Sequence, residues 1–128
     1  MANFKIITNN PMALDKYSEW AEYCQTSVEG VFTACRDAVH QGAVLICHPL
    51  SGSVKPNVNP YKSVVISDGK PRTDFDSLRL IESALETLKK LRPAQSMRYS
   101  DSVLEDFQVI DLDLLDSAMT SLPPEYHI

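Results

Sequence analysis

Apolar and polar positions alternate in blocks that predict strands separated by helices. Phe4–Thr8 (FKIIT) is short, β-branched and closed by Asn9-Asn10-Pro11, which predicts a buried strand. From Met12 to about Cys24, Leu14, Tyr17 and Ala21 are spaced for one helical face, with Asn10 as N-cap and Pro11 at the first helical position. Ser27 caps a second predicted helix to about His40, whose stripe is Val28, Val31, Phe32, Cys35 and Val39, with Gly42 just past its end. Ala43–Cys47 and Ser63–Ser67 are continuous apolar runs and predict two more buried strands. Between them, residues 48–62 hold three Pro and one Gly and predict a long loop.

Beyond the Asp68-Gly69 turn, Asp74 or Asp76 caps a helix from Ser77 to Arg92, with Leu78, Ile81, Ala84, Leu85 and Leu88 on one face and Pro93 as its stop. Ser100 or Asp101 caps a short helix through Phe107. Val109–Leu112 is predicted as a fourth strand and Asp113–Ser121 as a last short helix. Strands that are apolar throughout and alternate with helices imply a Rossmann-like α/β fold: a three-layer sandwich with a mostly parallel sheet of about four strands and helices on both faces. At 128 residues the chain has the length of one domain, expected over 1–122, with 123–128 as a frayed tail.

Composition narrows the possible functions. The chain is 44% hydrophobic and 23% charged, which excludes disorder, collagen and coiled coil for the bulk of it. The net charge of −5 argues against a general nucleic-acid binder, which needs a basic footprint. No run of about 18 apolar residues predicts a membrane span. The opening MANFKIITNN lacks the basic and apolar regions of a secretory signal, and Cys24, Cys35 and Cys47 show no CxxC spacing, so a reducing cytoplasm is the expected setting. His40, His48 and His127 have no metal-ligand spacing, and no metal is expected. Residues 101–116 carry six acids and no base, which makes either a solvated face or a docking surface for a basic partner.

In open α/β sheets ligands sit beyond the carboxyl ends of strands. Two loops qualify. Asn9 and Asn10 precede a helix N-terminus suited to an anion, although the same two residues also serve as turn and cap. The second loop follows Cys47. His48 stands at its start, Ser51, Gly52 and Ser53 offer hydroxyls and a pliable backbone, Lys55 and Lys62 add positive charge, and Asn57, Asn59 and Tyr61 add neutral hydrogen-bonding groups. Together these predict a site for a small anionic metabolite, a carboxylate or phosphate. The loop contains no Walker motif, GxGxxG fingerprint or GxSxG elbow, so no cofactor is expected. A His48–Ser51 or His48–Ser53 pair would give His48 an acid/base role in acyl or phosphoryl transfer. Glu82 and Glu86 lie one turn apart on a helix, but neighbouring lysines make them ordinary surface partners.

The segments KIITNNP (5–11), HPLSGSVKPNVNPYKSVVIS (48–67), SLRLIESALET (77–87) and LEDFQVIDLDLLDSA (104–118) resemble the GrdX family. These are small proteins encoded beside the glycine, sarcosine and betaine reductase systems of amino-acid-fermenting bacteria. The resemblance covers nearly the whole chain, and the central block is long and unusual. Val58 stands where the family pattern leads one to expect Glu. The resemblance implies a link to reductive amino-acid catabolism in an anaerobe's cytoplasm and supplies no reaction or catalytic residues. Three expectations result. The first is an accessory protein binding a small anionic metabolite at residues 48–62. The second is a small transfer enzyme using His48. The third is an assembly protein that docks reductase subunits through the acidic 101–116 face.

Overall fold

The computed structural model describes residues 3–50, 58–69, 71–91 and 99–126. Three strands form one mixed sheet in the order β2-β1-β3: β1 (Phe4–Thr8), β2 (Ala21–Tyr23) and β3 (Ser63–Ser67). β1 lies in the middle, parallel to β2 (Ile6 opposite Ala21) and antiparallel to β3 (Ile6 opposite Val65). Among the described residues there are four helices: α1 (Pro11–Lys16), α2 (Val28–His40), α3 (Phe75–Leu91) and α4 (Asp101–Thr120).

This corrects the expected architecture. The molecule is a small α/β protein, but among the described residues its sheet has three strands rather than four and is mixed rather than mostly parallel. Ala43–Cys47 is not a strand. It touches the outer edge of β3 at a single antiparallel bridge, Leu45 to Ile66. The ladder stops there because side chains take two of its donors. The Val44 N–H goes to Ser67 Oγ (2.8 Å) and the Val65 N–H to Cys47 Sγ (3.3 Å), leaving Ile46 N to Val65 O and Ser67 N to Val44 O as the backbone bonds. Val109–Leu112 is not a strand either, but the middle of the unbroken 20-residue helix α4. The inward residues there are Asp111 and Leu115, while Val109 and Ile110 face solvent. The predicted helix to Cys24 ends early at the Tyr17 cap, and a turn through Trp20 delivers the chain into β2, where the Ile6 N–H bonds Trp20 O.

Local chemistry explains the ends that were predicted well. Asn10 Oδ1 accepts the Met12 N–H at the start of α1, Ser27 Oγ that of Gly30 in α2, and Ser100 Oγ that of Val103 in α4. Asp74 accepts from both Ser77 N and Ser77 Oγ at the start of α3. α2 ends in a Schellman motif: Gly42 N bonds Val39 O, Ala43 N bonds Ala38 O, and Gly42 has φ 99°, which only glycine adopts without strain.

Strand pleating sends alternate side chains to opposite faces. Ile7, Val64 and Ile66 pack with Val31, Phe32 and Cys35 of α2 and Ile81, Ala84, Leu85 and Leu88 of α3. Phe4, Ile6 and Val65 pack on the other face with Ala13 of α1 and Leu115 of α4, joined at the edge by Trp20, Leu112 and Tyr126. Among the described residues, no helix is long and apolar enough to cross a membrane.

Candidate functional site

β3 is antiparallel to both β1 and the 44–46 segment, so β1 and that segment run the same way. Both emerge at the rim where β3 begins, which brings Thr8-Asn9-Asn10, Cys47-His48 and Lys62-Ser63 to one side of the sheet. α4 crosses this rim and inserts Asp111, which is 3% exposed.

Asp111 is held by three donors. Oδ1 accepts the Ser63 N–H (3.0 Å), and Oδ2 accepts from Ser63 Oγ (2.7 Å) and Asn10 Nδ2 (3.0 Å). The Ser63 hydroxyl has one proton and gives it to Asp111. The Thr8 hydroxyl therefore donates to Ser63 Oγ (2.7 Å) and accepts the Asn10 N–H (2.9 Å). A directed chain runs from the Asn10 N–H through Thr8 and Ser63 to the carboxylate. In a dry interior such a chain polarises along its length. Within the described residues no buried side-chain N or O lacks a partner.

Asn9 and Asn10 brace this rim. The Asn9 amide accepts the Lys62 N–H (2.8 Å) and donates to Thr26 O and Pro60 O. The Asn10 amide accepts from Met12 N and donates to Gln108 O and Asp111. Both amides are thus fully engaged within the chain. Tyr61 is tied down likewise: its N–H bonds Asn59 Oδ1, and its hydroxyl accepts from Gln108 Nε2 (3.0 Å).

Beside Asp111 lies a cavity of about 320 Å³ between the start of β3, the Ile46–His48 segment and the C-terminal half of α4. Its polar wall includes Cys47, His48, Lys62, Ser63 and Asp111, and its apolar wall includes Leu114, Leu115 and Ala118. Lys62 is only 7% exposed. Burial lowers its pKa from the ordinary lysine value, against the Asp111 carboxylate, which favours the ammonium. Burial raises the Cys47 pKa, opposed by the Val65 N–H and the Lys62 charge. Cys47 is therefore a neutral thiol. His48 sits at the exposed end of the wall, where Nδ1 accepts the Leu50 N–H (3.1 Å), leaving the ring proton on Nε2.

Of the expected site residues, the structure gathers His48 and Lys62 at this cavity and places Asn9, Asn10 and Tyr61 behind it as supports. Ser51, Gly52, Ser53, Lys55 and Asn57 lie outside the described residues, as does His127. Among the described residues no group of three or more His, Cys, Asp or Glu is placed to hold a metal ion. Sequence reasoning missed Asp111, Ser63 and the polar use of Cys47. A signal for Asp111 was present: it is the one acid on the inward stripe Leu104, Gln108, Asp111, Leu115, Ala118.

A family model for GrdX-like proteins matches residues 5–120. The chain belongs to the GrdX-like protein family. That match takes in the described strands and helices apart from Phe4, the first residue of β1, and every residue of the cavity wall named above. No curated protein and no solved structure matches this GrdX-like chain.

Proposed function

We propose that this protein is an accessory component of a glycine, sarcosine or betaine reductase-type system, and that it binds a small anionic metabolite in the cavity beside Lys62. One observation carries the binding reading: a buried lysine lines a cavity of about 320 Å³. That volume is at the lower end of the roughly 300–1,000 Å³ of ligand pockets and suits a ligand of a few heavy atoms. Burying an ammonium is costly unless an anion compensates it. The Asp111 carboxylate favours the charged form, and the cavity leaves room for an anionic group of a ligand on the same wall. A carboxylate or phosphate in the cavity would meet this buried cation and, at the rim, the His48 ring. The link to a reductase system rests on the family.

Thermal unfolding in the presence of acetate, glycine, betaine, inorganic phosphate and acetyl phosphate tests the binding reading. A ligand at about 100 times its Kd stabilises the fold by about 2.7 kcal/mol. At least one anion is expected to raise Tm by several degrees in the wild type and not in Lys62→Met, which keeps the stem and removes the charge. No shift with any of them overturns the reading.

A further inference from the structure

A second surface, separate from the cavity's buried lysine, lies along α4. Val103, Phe107, Ile110 and Leu114 follow one another at four-, three- and four-residue steps, so they share one side of the helix. Val103 is 37% and Ile110 50% exposed. Phe107 is half-buried and fixed edge-on against Tyr99, with ring centroids 5.0 Å apart. The stripe is about 16 Å long at 1.5 Å per residue; Val103 and Ile110 face solvent, Phe107 lies half-buried between them, and Leu114 ends the stripe at the cavity wall. Asp106 and Asp113, again seven apart, run along its border. Asp101 and Glu105 are exposed on the same helix, and residues 101–120 contain no Lys or Arg. Asp111 and Asp116 differ from these four, because Asp111 is buried and Asp116 binds Lys16 and Tyr17.

We propose that this face of α4 docks an amphipathic helix of a partner protein, one with aliphatic residues at i, i+3/i+4 and i+7 flanked by Lys or Arg. The apolar stripe is of the kind a partner helix anchors on. The charge decides the partner's sign. Four exposed acids with no cation on their own helix attract a basic segment. They repel a second copy of this chain, which would bring acid against acid, and an anionic lipid surface for the same reason.

The probe is a dye-labelled designed peptide of about 18 residues with a Leu face and Lys/Arg flanks, compared with the same peptide carrying Glu for each cation. Fluorescence anisotropy with the full chain is expected to show binding of the basic peptide and none of the acidic one. Raising NaCl from about 50 to about 300 mM should weaken it several-fold. The surface pair Val103→Asn with Ile110→Asn should weaken it by about tenfold. Asp106→Asn with Asp113→Asn should do likewise and flatten the salt dependence, while Glu82→Gln with Glu86→Gln on α3 should change nothing. Asp113→Lys gives a second route at one solvent-facing position if the apolar pair perturbs folding. Absence of binding, or equal binding by the α4 variants and wild type, overturns the proposal. So does sedimentation showing a dimer that Ile110→Asn dissolves, which would make a second copy the occupant.

Discussion

The two faces of the sheet are built on different physical terms. Toward α2 and α3, eleven buried residues form an apolar cluster around Phe32, Ile66 and Ile81. Toward α1 and α4, five buried apolar residues among those described do the same work, and the space beside them is taken by Thr8, Asn10, Ser63 and Asp111. Area holds the first face together. Directional bonds hold the second, where α4 is fastened to β3 and α1 through one carboxylate. The apolar cluster itself is close-packed, and the cavity of about 760 Å³ on that side lies outside it, between the largely polar outer surfaces of α2 and α3 with Glu29, Arg36, Glu82 and Lys89 in its wall. The polar face leaves the cavity beside Lys62, and its buried Lys62 and Asp111 are why the candidate site lies there.

The largest expected effect is on the apolar face. Phe32→Ala should cost about 3–5 kcal/mol, read as a lower urea midpoint with an unchanged m value. On the polar face, Asp111→Ala should cost roughly 3 kcal/mol although it removes little area, because three buried donors lose their acceptor. If Asp111→Ala proves as mild as a surface change, the contrast between the faces fails. A double change of Asp111→Ala with Ser63→Ala should cost much less than the sum of the two singles, since they share bonds.

The pH dependence sharpens the same comparison. Burial raises the Cys35 pKa far above its ordinary value of 9.0. A group whose folded pKa is raised contributes stability in full below its unfolded pKa and loses it as pH climbs above that value. Urea midpoints should therefore fall between about pH 8 and pH 10, and less steeply in Cys35→Ala. Lys62 acts with the opposite sign. Its folded pKa is lowered from 10.5, so the cost of burying the ammonium is relieved as pH rises toward 10.5, and Lys62→Met should steepen the alkaline loss. The smallest effect is expected on the solvent side of α3. Glu86→Gln removes the exposed pair with Lys90 (3.8 Å) and should change stability by less than about 0.5 kcal/mol.

How far the sequence was legible follows from the same contrast. Helices α2 and α3 were predictable almost to the residue because their stripes face the apolar cluster, and Ser27, Gly42 and Asp74 mark their ends. β1 and β3 were predictable because both faces of each are buried. α4 was split wrongly because an inward Asp interrupts its stripe while Val109 and Ile110, outward, imitate a strand. β2 is three residues long, with too few positions to show any period. The Ala43–Cys47 run carries a strand's composition, but Ser67 Oγ and Cys47 Sγ divert its ladder, which no pattern of hydropathy encodes. At the site, His48 was legible as the polar group just after one apolar run and Lys62 as the one just before the next. Asp111 was marked only as the one acid on an inward stripe; its bonds to Ser63 and Asn10 depend on a helix crossing a rim that only the fold brings near.

The binding reading turns on Lys62 being a buried cation at an open cavity. Proton–carbon spectra of protein labelled at the lysine ε-carbons, followed through a pH titration with and without inorganic phosphate, acetate and acetyl phosphate, measure this directly. One lysine signal, absent in Lys62→Met, should titrate below the others, and at least one of the anions should raise its pKa toward the ordinary value. A Lys62 signal that titrates with the surface lysines, or that none of the anions moves, would contradict the account.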